Sequence, residues 1–171
     1  MRASLDFEPS MKCRIRKEND SAHPSADGAT RRMALRRGRI FSSDLRDSRP
    51  MEPITQAFAQ QFSREWIDAW NAYDLDRVLS HYADAFEMSS PMIVQIAGEP
   101  SGRLCGKDQV GAYWLTALRM IPALHFEWIA TLAGVDSVAI HYRGANGRLA
   151  LEVFHFGPDR RVVKAFAHYA E

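Results

Sequence analysis

The sequence predicts an α+β domain in which helices come first and an antiparallel meander of strands comes last. Two observations predict it. Between residues 54 and 121 apolar residues recur at helical spacing, and between 124 and 170 they alternate with polar ones in runs cut by turn residues. A third observation bounds the domain. In residues 1–50 aromatic residues are scarce and Ser, Pro, Gly and Arg dominate, leaving little apolar surface to offset the entropy of ordering. That stretch reads as a disordered basic tail, and 51–171 as the domain.

The elements follow in order. From Ile54, the residues Phe58, Phe62, Trp66, Ala69, Trp70 and Tyr73 mark one helical stripe opposite Gln60, Arg64, Glu65 and Asp68. Asp74 can cap a second, short helix, along which Leu75, Val78, Leu79 and Tyr82 share a face. The period changes at Phe86, where Phe86 and Met88 alternate with Glu87 and Ser89 until Pro91 withholds the next amide donor. Residues 92–96 read as a short strand and 98–102 as a loop. Residues 108–121 form the third helix, with Val110, Tyr113, Trp114, Ala117, Leu118 and Ile121 on its apolar side and Pro122 as its stop. Strands then follow at 124–133, 137–143, 148–156 and 161–170. Asn146-Gly147, between the second and third of these, favours the left-handed conformations of a tight hairpin turn.

Composition narrows the class. With 171 residues, 46% hydrophobic and 25% charged, the chain is globular and fits one domain. No apolar run approaches the ~20 residues that span a bilayer, so no membrane partner is expected. Cys13 and Cys105 form neither a metal-ligand spacing nor a disulfide framework, which points to a reducing, cytoplasmic setting. The formal net charge of +1 hides a division: residues 1–50 carry 12 Lys/Arg against 7 Asp/Glu, and the remainder carries 10 against 14. The basic run from Arg31 to Arg39 lacks the aromatic platform of an RNA-binding surface, so no nucleic acid is expected. A secretory signal would need an apolar core, and a mitochondrial presequence would avoid Asp6, Glu8, Glu18 and Asp20. Met51, just before the first helix, is the expected true start of translation. There is no His-Glu-x-x-His, phosphate loop or nucleophile elbow, and neither cofactor nor metal is expected.

Three stretches carry a family likeness: the run from Trp70-Asn-Ala-Tyr-Asp74 to Ser89-Ser-Pro91, Gly102-Arg-Leu-Cys-Gly-Lys-Asp108, and Glu152-Val-Phe-His-Phe156. Over residues 54–171 the chain resembles the nuclear transport factor 2-like superfamily. Within it, the chain looks like the SnoaL-like branch, which includes polyketide cyclases and ketosteroid isomerases. The resemblance implies a cone-shaped, strongly bent antiparallel sheet wrapped around three helices of the N-terminal half. It also implies a hydrophobic pocket at the cone's mouth and a homodimer paired through the outer sheet face. It does not specify a function, because this superfold hosts enzymes and binding modules alike.

Strand parity locates the chemistry. Val138, Ile140 and Tyr142 share the more apolar face of their strand and are placed against the helices, leaving Ala139, His141 and Arg143 outside. In the next strand both sets are largely apolar: Ala150, Glu152, Phe154 and Phe156 on one side, Leu149, Leu151, Val153 and His155 on the other. Periodicity alone does not choose between them. The resemblance does, because ketosteroid isomerases carry an inward acidic hydrogen-bond donor at the position matching Glu152. A carboxyl buried among aromatic rings loses hydration, so its pKa rises and it can donate to an oxyanion or act as general acid/base. A Glu in a structural polar network, or one facing outward, is the alternative.

Two positions depart from the isomerase pattern. Ser90 stands where those enzymes have their aspartate base, and Trp66 stands where they have a tyrosine donor, so a ketosteroid isomerase proper is not expected. The candidate catalytic residues are Glu152 and His125, the latter two residues from Glu127. The candidate lining is Trp66, Trp70, Tyr82, Met88, Ser90, Tyr113, Trp114, Ile140, Tyr142, Phe154 and Tyr169. His81 reads as a solvated helix end, with Asp84 in the turn after it. His141, His155 and His168 fall on the outer parity, as does Phe166, a candidate interface residue. The expected ligand is a small, largely apolar molecule. The expected role is a cofactor-independent isomerase, cyclase or dehydratase, or else a non-catalytic ligand-binding or dimerisation module.

Overall fold

The structure, a computed structural model, describes residues 52–170. The basic tail and the start at Met51 lie outside the described residues. Helix α1 (Gln56–Asn71) begins at Thr55, whose side chain accepts from the Phe58 amide, and buries Ala59, Phe62, Trp66, Ala69 and Trp70. Helix α2 (Leu75–Ser80) is capped by Asp74, which accepts from the Arg77 amide at 3.0 Å. Then come β1 (Tyr82–Ser89), α3 (Pro91–Ile96), β2 (Arg103–Cys105) and α4 (Gly106–Met120). Strands β3 (Glu127–Ala133), β4 (Ser137–Arg143), β5 (Leu149–Phe156) and β6 (Val162–Tyr169) complete the domain.

The six strands form one sheet in the order β2-β1-β6-β5-β4-β3. The meander from β3 to β6 is antiparallel, as the turn spacing predicts, but β6 also lies parallel to β1, so the sheet is mixed. Helices α1 and α4 pack on one face, α1 against β3 and α4 against β1. Inward parity holds on β4, where Val138, Ile140 and Tyr142 are buried. On β5 the register settles what periodicity left open. Glu152 pairs with Ile140 on one side and Ala167 on the other, and so joins their buried face, while Leu149 and Leu151 are exposed.

Several local expectations give way to capping. Residues 92–96 form a helix rather than a strand, because the Ser90 hydroxyl accepts from the Met92 amide at 3.1 Å and Pro91 takes the first helical turn, where a missing N–H is harmless. There are therefore four α-helices among the described residues, not three. Tyr73 lies beyond α1, exposed and at φ +56°, and Tyr82 opens β1 instead of closing α2. Strand β3 begins at Glu127 because the preceding backbone is already satisfied. The Asn71 side chain donates to the Phe126 carbonyl at 2.9 Å and accepts from its amide at 2.7 Å, and the Leu124 amide donates to Ile121. At three residues, β2 is too short for periodicity to reveal.

Candidate ligand cavity and its buried carboxyl

Between α1, α3, α4 and the β4–β5 hairpin lies a cavity of about 220 Å³. Its walls are mostly aromatic: Trp66, Trp70, Tyr113, Trp114, Phe126, Tyr142 and Tyr169. These rings hold one another. Trp66 stacks on Phe126 at 5.6 Å, Trp70 meets Trp114 edge-on at 5.2 Å, and Phe126 tilts on Tyr142 at 4.6 Å. Met88, Met92, Ile96, Ile121 and Leu124 fill the gaps between them. A dry cavity of ~150 Å³ accepts a benzene-sized molecule, so this one suits roughly ten non-hydrogen atoms.

Glu152 supplies the chemistry of the wall. Its parity on β5 turns it inward, and it is 4% exposed. The Tyr142 hydroxyl donates to Oε2 at 3.2 Å. The other carboxyl oxygen has no hydrogen-bond partner among the described residues. Burial pushes the carboxyl pKa up to about 8, with the Tyr142 hydrogen bond pulling back weakly. At neutral pH the group is therefore mostly a neutral acid, able to donate. Burial also raises Tyr113 to about 12, and it raises Tyr169 and Tyr142 well above the ordinary phenol value, with the Glu152 charge adding to the effect. All three remain phenols near neutrality.

Of the eleven predicted lining residues, Trp66, Trp70, Met88, Tyr113, Trp114, Tyr142 and Tyr169 do line the cavity. The other four sit behind it. Ile140, Phe154 and Tyr82 are fully buried core residues. Tyr82 accepts from Trp66 Nε1 at 3.0 Å, so the one donor Trp66 owns is engaged inside the core. Ser90, 2% exposed, caps α3 by accepting from the Met92 amide, so its hydroxyl is used by the fold.

His125 is the clearest correction. It lies before β3, exposed, and is not among the residues that line the cavity, although its neighbours Leu124 and Phe126 are. Its presumed neighbour Glu127 pairs instead with Arg143 at 3.6 Å. His81 is not a solvated helix end. It packs edge-on against Phe62 at 5.4 Å, and burial lowers its pKa. Asp84 lies on β1 rather than in a turn and pairs with Lys107 at 2.9 Å. On the outer face His141 and His168 flank Leu151 across three strands, while His155 stands apart near Asp136.

Sequence reading missed several contributors. Arg148, Asn146 and Phe126 line the cavity, and Asn71 and Tyr73 pin the segment that carries Leu124 and Phe126. Arg148 had a usable signal, since it continues the parity of Ala150 and Glu152. For Asn71 no sequence signal exists, because its partner lies 55 residues away.

Residues 63–168 match the profile of the SnoaL-like domain. The chain belongs to the SnoaL-like family. A crystal structure of a SnoaL-like protein of unknown function from Burkholderia thailandensis is 90% identical, covering 70% of this chain and 100% of that one, with a TM-score of 0.68. Two more distant structures share the fold alone. One is a protein of unknown function with a cystatin-like fold from Methylobium petroleophilum (17% identity, 70% and 80% covered, TM-score 0.57). The other is a nuclear transport factor 2-like protein from Burkholderia pseudomallei (18%, 66% and 90%, 0.54). No curated protein matches the chain. Within this SnoaL-like frame the aromatic cavity lies between the helical layer and the inner face of the sheet.

Proposed function

We propose that this SnoaL-like protein binds a small, largely apolar molecule in its aromatic cavity and moves a proton on it with Glu152, without a cofactor. One observation carries the reading: a carboxyl lies at the cavity wall with one oxygen held by Tyr142 and the other unengaged among the described residues. Hydrogen-bonded on one side and mostly protonated, such a group can protonate an enolate or steady a developing oxyanion. In its ionised minority form it can take a proton from carbon. Ser90 stands where a second carboxylate would serve an isomerase, so the proton must leave and return through Glu152 itself. That favours enolisation-type chemistry: isomerisation, cyclisation or dehydration next to a carbonyl.

The test needs no knowledge of the natural substrate. Aryl ketones and β-keto compounds of about ten non-hydrogen atoms are incubated in D₂O, and loss of the α-proton signal is followed by NMR. Wild type is expected to accelerate exchange of at least one, and E152Q to slow it by about 10²–10⁴-fold. Exchange that is equal in both proteins removes Glu152 from the chemistry. Binding without exchange favours the second reading, a ligand-binding module. The occupied indole N–H of Trp66 and the capping role of Ser90 support that reading, since both withdraw groups from catalysis.

The outer sheet face is the surface we propose joins two copies. Leu132, Ala139, Val153 and Phe166 stand in register across four strands, beside exposed Leu149 and Leu151. Leu151→Glu is expected to convert the dimer to a monomer in analytical ultracentrifugation. A wild-type monomer at micromolar concentration would remove the proposal.

A further inference from the structure

Besides Glu152, the described residues of the cavity lining include one other charged residue, Arg148, exposed where the hairpin runs into β5. Its side chain is tied down rather than free. Nε donates to the Ala170 carbonyl at 2.6 Å, and the guanidinium lies over the Tyr169 ring, 5.4 Å from its centroid. The anchors are the last residue of β6 and the one after it, so the guanidinium is already in place before any ligand arrives, and little side-chain entropy is lost on binding.

Among the described residues no carboxylate lies within ion-pair distance of the guanidinium, and its terminal nitrogens have no protein acceptor. Glu152, the one acid among the described lining residues, sits four residues further on, about 13 Å along the strand. Glu152 is also mostly neutral near pH 7, for the reasons of burial given above. Among the described residues the lining thus carries one positive charge at one side, with no carboxylate paired to it, and is mostly aromatic and aliphatic elsewhere.

We propose that Arg148 is the specificity determinant of this cavity and that its ligands are small aromatic or alicyclic carboxylates, ring body inside and carboxylate on the guanidinium. The planar fork of Arg matches a carboxylate through two parallel N–H bonds, which a neutral amide or ketone cannot reproduce. The ring body, of about ten non-hydrogen atoms, fills the aromatic part of the cavity. The reactive carbon, if there is one, then lies toward Glu152. This inference rests on the ligand-cavity reading above and adds the charge of the ligand to it.

The experiment compares 2-naphthoate with 2-naphthamide, two probes of nearly equal shape, by titration calorimetry on the full-length protein at pH 7 and low salt. Wild type is expected to bind the acid roughly tenfold or more tightly than the amide. R148M should abolish that preference while leaving amide affinity within about twofold, and R148K should retain part of it as a point charge without the fork. Circular dichroism of both variants checks that they fold. Raising salt to 0.5 M should shrink the wild-type preference. Equal affinity for acid and amide in wild type, or a preference that survives in R148M, overturns the role of Arg148 while the cavity stands. Failure of both probes to bind at millimolar concentration overturns this inference and the ligand-cavity reading together.

Discussion

Glu152→Gln should make this protein more stable, and by an amount that grows with pH. The wild-type carboxyl has its pKa pushed from 4.5 up to about 8 by burial. Its folded form therefore holds a proton across a window in which the unfolded chain has lost it. Where the folded state binds more protons, stability falls as pH rises, by about 1.4 kcal/mol per unit for one group. The decline begins near pH 4.5, ends near pH 8 and is flat above. At pH 7 it amounts to about 3 kcal/mol, and at pH 9 to about 5 kcal/mol. Glutamine keeps an acceptor for the Tyr142 hydroxyl but has no proton to lose, so the penalty disappears. Urea unfolding, followed by tryptophan fluorescence from pH 4 to 9, measures the difference between variant and wild type directly. That difference should climb through the window and then level off. In a domain of this size the pH 9 gap corresponds to a rise in Tm on the order of 15 °C. A difference that does not change with pH would refute the reasoning, because it would mean that Glu152 titrates alike in the folded and unfolded chain.

Three further outcomes follow from individual contacts. Tyr82→Phe leaves the Trp66 indole N–H buried without its acceptor, and should lower stability by about 1–3 kcal/mol in urea while ligand affinity stays within twofold. Asn71→Ala frees both backbone groups of Phe126, so calorimetric affinity for an aromatic ligand should fall severalfold along with a stability loss of about 2 kcal/mol. Gly102→Ala forces a side chain onto a residue at φ +66° and places its Cβ 3.3 Å from the Ser90 carbonyl, which should cost about 1–2 kcal/mol in the same assay.

The sequence disclosed the parts whose determinants are local. The aromatic stripe of α1, the boundaries of β4 and the left-handed Asn146-Gly147 turn follow from residues within a few positions of each other. The inward turn of Glu152 did not, since both faces of β5 are apolar and only the resemblance chose between them. The register with β4 and β6 supplies the physical reason. His125 failed because strand parity was extended past the point where Asn71 takes over the backbone. Arg148 was overlooked because an Arg beside a turn looks like an ordinary surface charge. What gives it meaning is the Ala170 carbonyl and the Tyr169 ring, about twenty residues later in the chain.

The parallel pairing of β6 with β1 has a consequence for how the chain is made. As the ribosome releases the chain, β1 emerges with only the short β2 to pair with, and it must wait some eighty residues for its other neighbour. The same late strand joins β5 on its far side, so the two halves of the sheet are stitched together by the last of the described strands. Long-range closure of this kind is slow. Until it happens β1 keeps an open edge, at which another nascent copy can dock. A stop codon before residue 162 would therefore do more than shorten the chain. It would split the sheet in two and take Tyr169 from the cavity with it.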